Sequence, residues 1–62
     1  NYRIDLLVNN QVIIELKSII KIEPIQYAQL LTYLKLANIR YGLLLNFNVP
    51  VMRQGIKRLL NG

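Results

Sequence analysis

The sequence predicts a small α/β fold: a β-hairpin, a helix, a further strand and a short C-terminal element. Three observations carry this. Residues 2–8 and 12–18 alternate their side chains at strand spacing around Asn9-Asn10. Residues 24–37 open on Pro24 and repeat apolar residues at helical spacing. Residues 41–47, Tyr-Gly-Leu-Leu-Leu-Asn-Phe, form a run apolar on both faces, the pattern of a strand buried on both sides.

The totals narrow the chemistry. Sixty-two residues allow one domain, and a chain of this size buries only ~60% of the surface it exposes when unfolded. There is no cysteine and no histidine, which excludes thiolate chemistry, zinc sites built on those residues and Ser-His-Asp triads. Carboxylates, lysine, tyrosine, amides or a hard metal remain. Eight Lys and Arg against three acids give a net charge of +5, which favours an anionic partner, nucleic acid first. No signal-peptide pattern opens the chain. The longest uncharged run, residues 41–52, is interrupted by Gly, Asn and Pro and is too short to span a bilayer. The expected location is cytoplasmic, with no membrane partner. Hydrophobic residues make up 53% of the chain, so either the core is dense or a second copy covers apolar surface.

In the first strand Ile4, Leu6 and Val8 share one face, and Arg3, Asp5 and Leu7 the other. In the second, Val12, Ile14 and Leu16 oppose Ile13, Glu15 and Lys17. A two-residue turn at Asn9-Asn10 pairs Val8 with Gln11 and sends Asp5 and Glu15 to opposite faces. A three-residue loop, Asn9-Asn10-Gln11, pairs Val8 with Val12 and Asp5 with Glu15. Only this register gathers the aliphatics on one face, so the longer loop is predicted, with two carboxylates side by side. Such a pair repels unless a proton, a cation or a metal neutralises it; Arg3 and Lys17 fall on the same face.

Ser18 to Glu23 reads as a connector. Pro24 suits the first helical turn and Glu23 the helix's positive end. Tyr27, Leu30, Leu31 and Leu34 make the apolar stripe, while Gln29 and Tyr33 are four apart on one face with Gln26 beside them. Asn38 is the predicted stop. The strand after it is expected to return parallel to an earlier one by a right-handed crossover. Asn46, Asn48 and Pro50 mark a loop. Residues 51–60 form either another strand or a short helix, with Ile56, Leu59 and Leu60 suiting a helical face and Arg53, Lys57 and Arg58 basic.

Phosphodiester hydrolysis needs a metal to polarise the phosphate and activate water. Mg²⁺ is held by a few carboxylate oxygens plus waters and substrate oxygens. Asp5 and Glu15 supply carboxylates, and Lys17 on the same face stabilises phosphoryl charge or orients water. As a bare pattern, D-x9-E-x-K is weak. Placed on paired strands, before a helix and an apolar strand, it becomes more specific.

The element order with Asp5 and Glu15-Leu16-Lys17 resembles the PD-(D/E)XK nuclease superfamily. Within it, Tyr-Arg-Ile-Asp-Leu-Leu-Val (2–8), Val-Ile-Ile-Glu-Leu-Lys (12–17), Ala-Gln-Leu-Leu-Thr-Tyr-Leu-Lys (28–35), Gly-Leu-Leu-Leu-Asn-Phe (42–47) and Gly-Ile-Lys-Arg (55–58) closely resemble the bacterial GxxExxY proteins. Ile4 stands where the superfamily's name has Pro. The resemblance implies a truncated restriction-endonuclease-like core over residues 1–62, without the family's N-terminal GxxExxY helix and first strand. It implies Asp5 and Glu15 as metal ligands helped by the Leu16 carbonyl, Lys17 as the catalytic lysine, and Gln29 and Tyr33 as an accessory pair. Mg²⁺ or Mn²⁺ is the implied cofactor, and nucleic acid, DNA ahead of RNA, the implied substrate. The absent helix would cover one sheet face, so an exposed apolar face and a homo-oligomer covering it are expected.

Three readings follow. The first is a metal-dependent nuclease, or one inactive in this short form. The second is a non-catalytic nucleic-acid-binding module using Lys17, Lys21, Lys57 and Arg58. The third is a self-associating α/β module without chemistry.

Overall fold

The computed structural model describes residues 4–62. Its organisation starts at the first turn. Asn9 and Asn10 both take the left-handed conformation, with φ of 52° and 53°, and the Gln11 N–H donates to the Val8 carbonyl at 2.9 Å. Two consecutive left-handed residues closed in this way make a type I′ turn. Gln11 follows as an extra residue, so strand β1 (Leu6–Val8) pairs with β2 (Val12–Lys17) as Val8–Val12, Leu7–Ile13 and Leu6–Ile14. This is the register of the longer loop.

β1 is shorter than the sequence suggests. Ile4 and Asp5 lie outside the strand, and the part assigned to Tyr2 and Arg3 lies outside the described residues. The cause is local. The Leu16 N–H donates to Asp5 Oδ2 at 2.9 Å, so a side chain stands where the ladder would need a main-chain carbonyl.

Helix α1 (Pro24–Ala37) has the predicted span. Pro24 opens it, and Gln26 Oε1 accepts the Glu23 N–H at 2.6 Å. At the other end Asn38 is left-handed, φ 57°, and the Asn38 and Ile39 N–H groups donate to the Lys35 and Leu34 carbonyls. That pair of bonds is a Schellman closure, and it delivers Ile39 into the core. The helix returns the chain to β3 (Tyr41–Asn46), parallel to β2 from Val12–Tyr41 to Lys17–Asn46. A 3₁₀ turn (Met52–Gly55) then leads into β4 (Ile56–Leu60), antiparallel to β3. The sheet order is β1-β2-β3-β4. The C-terminal segment is therefore a turn followed by a strand. Ile56 and Leu60 share one sheet face and Leu59 takes the other, so these three do not form a helical face.

The helix packs on one side of the sheet, over β2, β3 and β4. The core is Ile13, Leu30, Tyr33, Leu34, Ile39 and Leu44, with Ile22, Tyr27, Leu31 and Leu59 partly buried around it. Gly42 lets the helix settle there: a Cβ would come within 3.0 Å of both Leu30 and Leu34 side-chain carbons. On the opposite face Leu43 and Leu45 are only half-buried, so β3 is covered on one side rather than both. Leu6, Val8, Leu16, Ile56 and Leu60 are exposed on that open face. Among the described residues, no helix is long and apolar enough to cross a membrane.

Gly55 sits against the end of β3, where a Cβ would collide with the Asn46 main-chain carbonyl oxygen. Backbone cannot yield as a flexible side chain can, so Gly55→Ala is expected to cost about 1–3 kcal/mol. Thermal melts should show this as a fall of at least about 4 °C. An unchanged melting temperature would mean that the turn and β4 shift without penalty.

Candidate metal and nucleic-acid site

Strand alternation places Glu15 and Lys17 on the helix-side face of β2, and the hairpin register brings Asp5 alongside Glu15. The two carboxylates differ in setting. Asp5 is exposed and anchored by the Leu16 N–H. Glu15 is 5% exposed. Its Oε2 lies 3.9 Å from Lys17 Nζ, a long ion pair, and its buried Oε1 has no hydrogen-bond partner among the described residues. Burial raises the Glu15 pKa above its ordinary value and the Asp5 carboxylate raises it further; the Asp5 main-chain N–H and the Lys17 ammonium pull the other way.

These residues fit a hard divalent cation. A buried carboxylate oxygen left without a donor is the arrangement that a cation satisfies. In an extended strand a residue's N–H and C=O leave on the same side. The Leu16 carbonyl therefore opens toward Asp5, beyond the last β1–β2 pair at Leu6–Ile14. Among the described residues no three acidic side chains cluster; the donor set is two carboxylates and a carbonyl. Glu23, the third acid, stands at the helix N-terminus.

The accessory pair, four residues apart on the helix, differs in burial. Tyr33 is buried in the core and Gln29 is exposed. Gln26, which shares their side of the helix in sequence, is occupied at the N-cap.

The basic residues divide as well. Lys57 pairs with Leu44, itself the neighbour of Glu15, so Lys57 and Lys17 lie on the helix-side face. Lys21 is exposed in the β2–α1 connector. Arg58 pairs with Leu43 and falls on the open apolar face, apart from the other three.

Asn46 was legible only as a loop marker, yet it organises the site's edge. It is 3% exposed. Its Oδ1 accepts from the Ile19 and Asn48 N–H groups at 3.0 and 3.2 Å, and its Nδ2 donates to the Ile19 carbonyl at 2.9 Å. This pins the chain leaving Lys17 to the end of β3. An amide closing an otherwise apolar strand was the available signal.

A mixed four-stranded sheet with one helix, carrying an Asp and a Glu-x-Lys on adjacent strands, is nuclease-like in architecture. A family model described as the PD-(D/E)XK nuclease superfamily matches residues 1–59. The chain belongs to that superfamily, and its fold is consistent with a restriction-endonuclease-like core. Nucleases of this superfamily generally use divalent metals. No curated protein and no solved structure matches the chain.

The Glu15 pKa gives a sign that can be tested. The folded protein holds the Glu15 proton more tightly than the unfolded chain does, so ionised Glu15 lowers stability at neutral pH. That cost shrinks as pH falls through the raised folded value and is gone below the ordinary 4.5. In EDTA at neutral pH, Glu15→Gln should be more stable than wild type by about 1 kcal/mol. This corresponds to a melting temperature roughly 4–8 °C higher. The two curves should converge in acid. A variant that melts lower at neutral pH would show that ionised Glu15 is well paired.

Proposed function

We propose that this protein is a metal-dependent phosphodiesterase acting on nucleic acid, DNA ahead of RNA, with Mg²⁺ or Mn²⁺ on Asp5, Glu15 and the Leu16 carbonyl. The observation that carries this is the buried Oε1 of Glu15, without a hydrogen-bond partner among the described residues, beside a second carboxylate. A bound metal would polarise the scissile phosphate and lower the pKa of the attacking water. Lys17 meets the developing charge on the phosphoryl oxygens, and its loose pairing with Glu15 leaves donor capacity for them. Gln29, exposed on the helix, is assigned a substrate contact. Tyr33 is assigned a positioning part through the core. Lys21 and Lys57 hold flanking phosphates, and a net charge of +5 draws in the polyanion.

Calorimetric titration of Mn²⁺ should show binding to wild type. Asp5→Ala or Glu15→Ala should weaken it by no less than the roughly 10–100-fold lost with outer-sphere partners. Lys17→Ala should keep the metal and lose about 10²–10³-fold in cleavage of a DNA substrate. Absence of metal binding, with salt-dependent DNA binding that survives EDTA and Glu15→Ala, would favour the non-catalytic binding module.

We propose in addition that a second copy covers the open sheet face. That face carries Leu6, Leu16 and Leu60 at 47%, 41% and 58% exposure, and Arg58 is the one charge its four strands place on it. An apolar surface with so little charge is complementary to itself, and two sheets stack face to face about 10 Å apart. Sedimentation should give a dimer mass for wild type and a monomer mass for Leu60→Lys. A wild-type monomer at high concentration would refute the pairing.

A further inference from the structure

Beside the carboxylates, on the same side of the sheet, lies a groove of about 310 Å³. It is walled by Tyr27 and Ile20, rimmed by Lys21, Lys57 and Gln54, and floored at Asn46. We propose that this groove takes one unpaired nucleotide next to a phosphate held at Lys17, so that the substrate is single-stranded nucleic acid.

The position argues for this first. Asn46 is the cross-strand neighbour of Lys17, and Lys57 stands opposite Leu44, which stands opposite Glu15. Two strand spacings of about 4.8 Å separate Lys57 from Glu15. A chain whose phosphate rests at Lys17 therefore enters the groove, through Asn46, at its adjacent unit.

The chemistry argues for it next. The volume lies at the low end of the roughly 300–1,000 Å³ of ligand pockets, the size for a single unit rather than a duplex. Tyr27 offers an aromatic wall, and stacking on an aromatic ring holds any base without regard to sequence. Ile20 is 94% exposed. A bare aliphatic side chain at the mouth of a groove is costly in water and gains from an apolar base laid against it. Lys21 and Lys57 are exposed cations at the rim, placed for the phosphates on either side of the base. The Gln54 amide carries both a donor and an acceptor for a base edge. Asn46 is already committed to Ile19 and Asn48, so it fixes the floor and does not read the ligand.

The groove's place beside a cleavage site rests on the phosphodiesterase reading; its occupancy by an unpaired nucleotide does not. Fluorescence anisotropy in EDTA separates the two. A short single-stranded oligodeoxynucleotide should bind at least about tenfold tighter than the same sequence as a blunt duplex. Ile20→Ser and Lys21→Ala, both at exposed positions that hold no core, should each weaken the single strand by about fivefold or more. Tyr27→Phe should retain affinity, and Tyr27→Leu should lose it at unchanged fold by circular dichroism. Amide shifts on titrating thymidine 5′-monophosphate should map to Ile20, Tyr27 and Gln54, a pattern that inorganic phosphate does not reproduce. Equal binding of duplex and single strand, no effect of Ile20→Ser and Lys21→Ala, or identical shifts with inorganic phosphate would each overturn the proposal. Strand preference without Mn²⁺ binding leaves the groove and removes the phosphodiesterase; Mn²⁺ binding without strand preference does the reverse.

Discussion

The hydrogen bond from the Leu16 N–H to Asp5 Oδ2, 2.9 Å long, is the contact on which the site depends. It ends the β1–β2 ladder by substituting a side chain for a main-chain carbonyl. In doing so it fixes the Asp5 carboxylate beside Glu15 and leaves the Leu16 carbonyl open on the same edge. The bond forms only in the register created by the extra residue Gln11. Slipping the hairpin by one residue would send Asp5 to the opposite face and bring aliphatic side chains under the helix out of order. Turn chemistry at Asn9-Asn10, strand register and the placement of the two carboxylates are thus one constraint expressed at three levels.

The arrangement is expensive for so small a domain. At about 0.05–0.15 kcal/mol per residue, 62 residues give a total stability on the order of 3–9 kcal/mol. A buried polar atom without a partner costs about 1–3 kcal/mol. Glu15 therefore consumes a substantial share of what holds the chain together, and its long contact with Lys17 returns little. A glutamine, or an aliphatic residue filling the same volume, would serve the fold better. A ligand that binds only the folded chain at Glu15 would offset that cost.

The hairpin register, the helix span and the alignment of Asp5, Glu15 and Lys17 were legible because each follows from a local rule. Alternation fixes faces, the Asn pair fixes a left-handed turn, and Pro24 and Asn38 bracket the helix. What escaped depends on tertiary partners. The early end of β1 comes from a side chain eleven residues before its main-chain donor. The buried Asn46 is explained by main-chain groups twenty-seven residues away. Gln26, Gln29 and Tyr33 share one helix side, but spacing alone does not show that Gln26 bonds the Glu23 N–H and that Tyr33 is buried in the core. An apolar run at residues 41–47 cannot reveal whether one face or two are covered, because both cases use the same residues.

The two faces of the sheet divide the work. The helix-side face carries the carboxylates, Lys17 and Lys57, and the groove at the end of β3. The open face carries aliphatics and Arg58. They are linked through β1, whose only neighbour in the sheet is β2. Asp5 hangs from this short edge strand, and among the described residues its carboxylate is held by three residue pairs of the ladder and one hydrogen bond. Leu6 and Val8 of β1 point into the open face, where cover from a second copy would clamp the strand. A cover that stabilises β1 stabilises the metal-binding geometry, and a metal that fixes Asp5 stabilises β1 for its cover. By linkage the two must strengthen each other by the same free energy. Were the proposed second copy and metal both to bind, a site shared between an edge strand and a central one would make assembly and chemistry a single equilibrium.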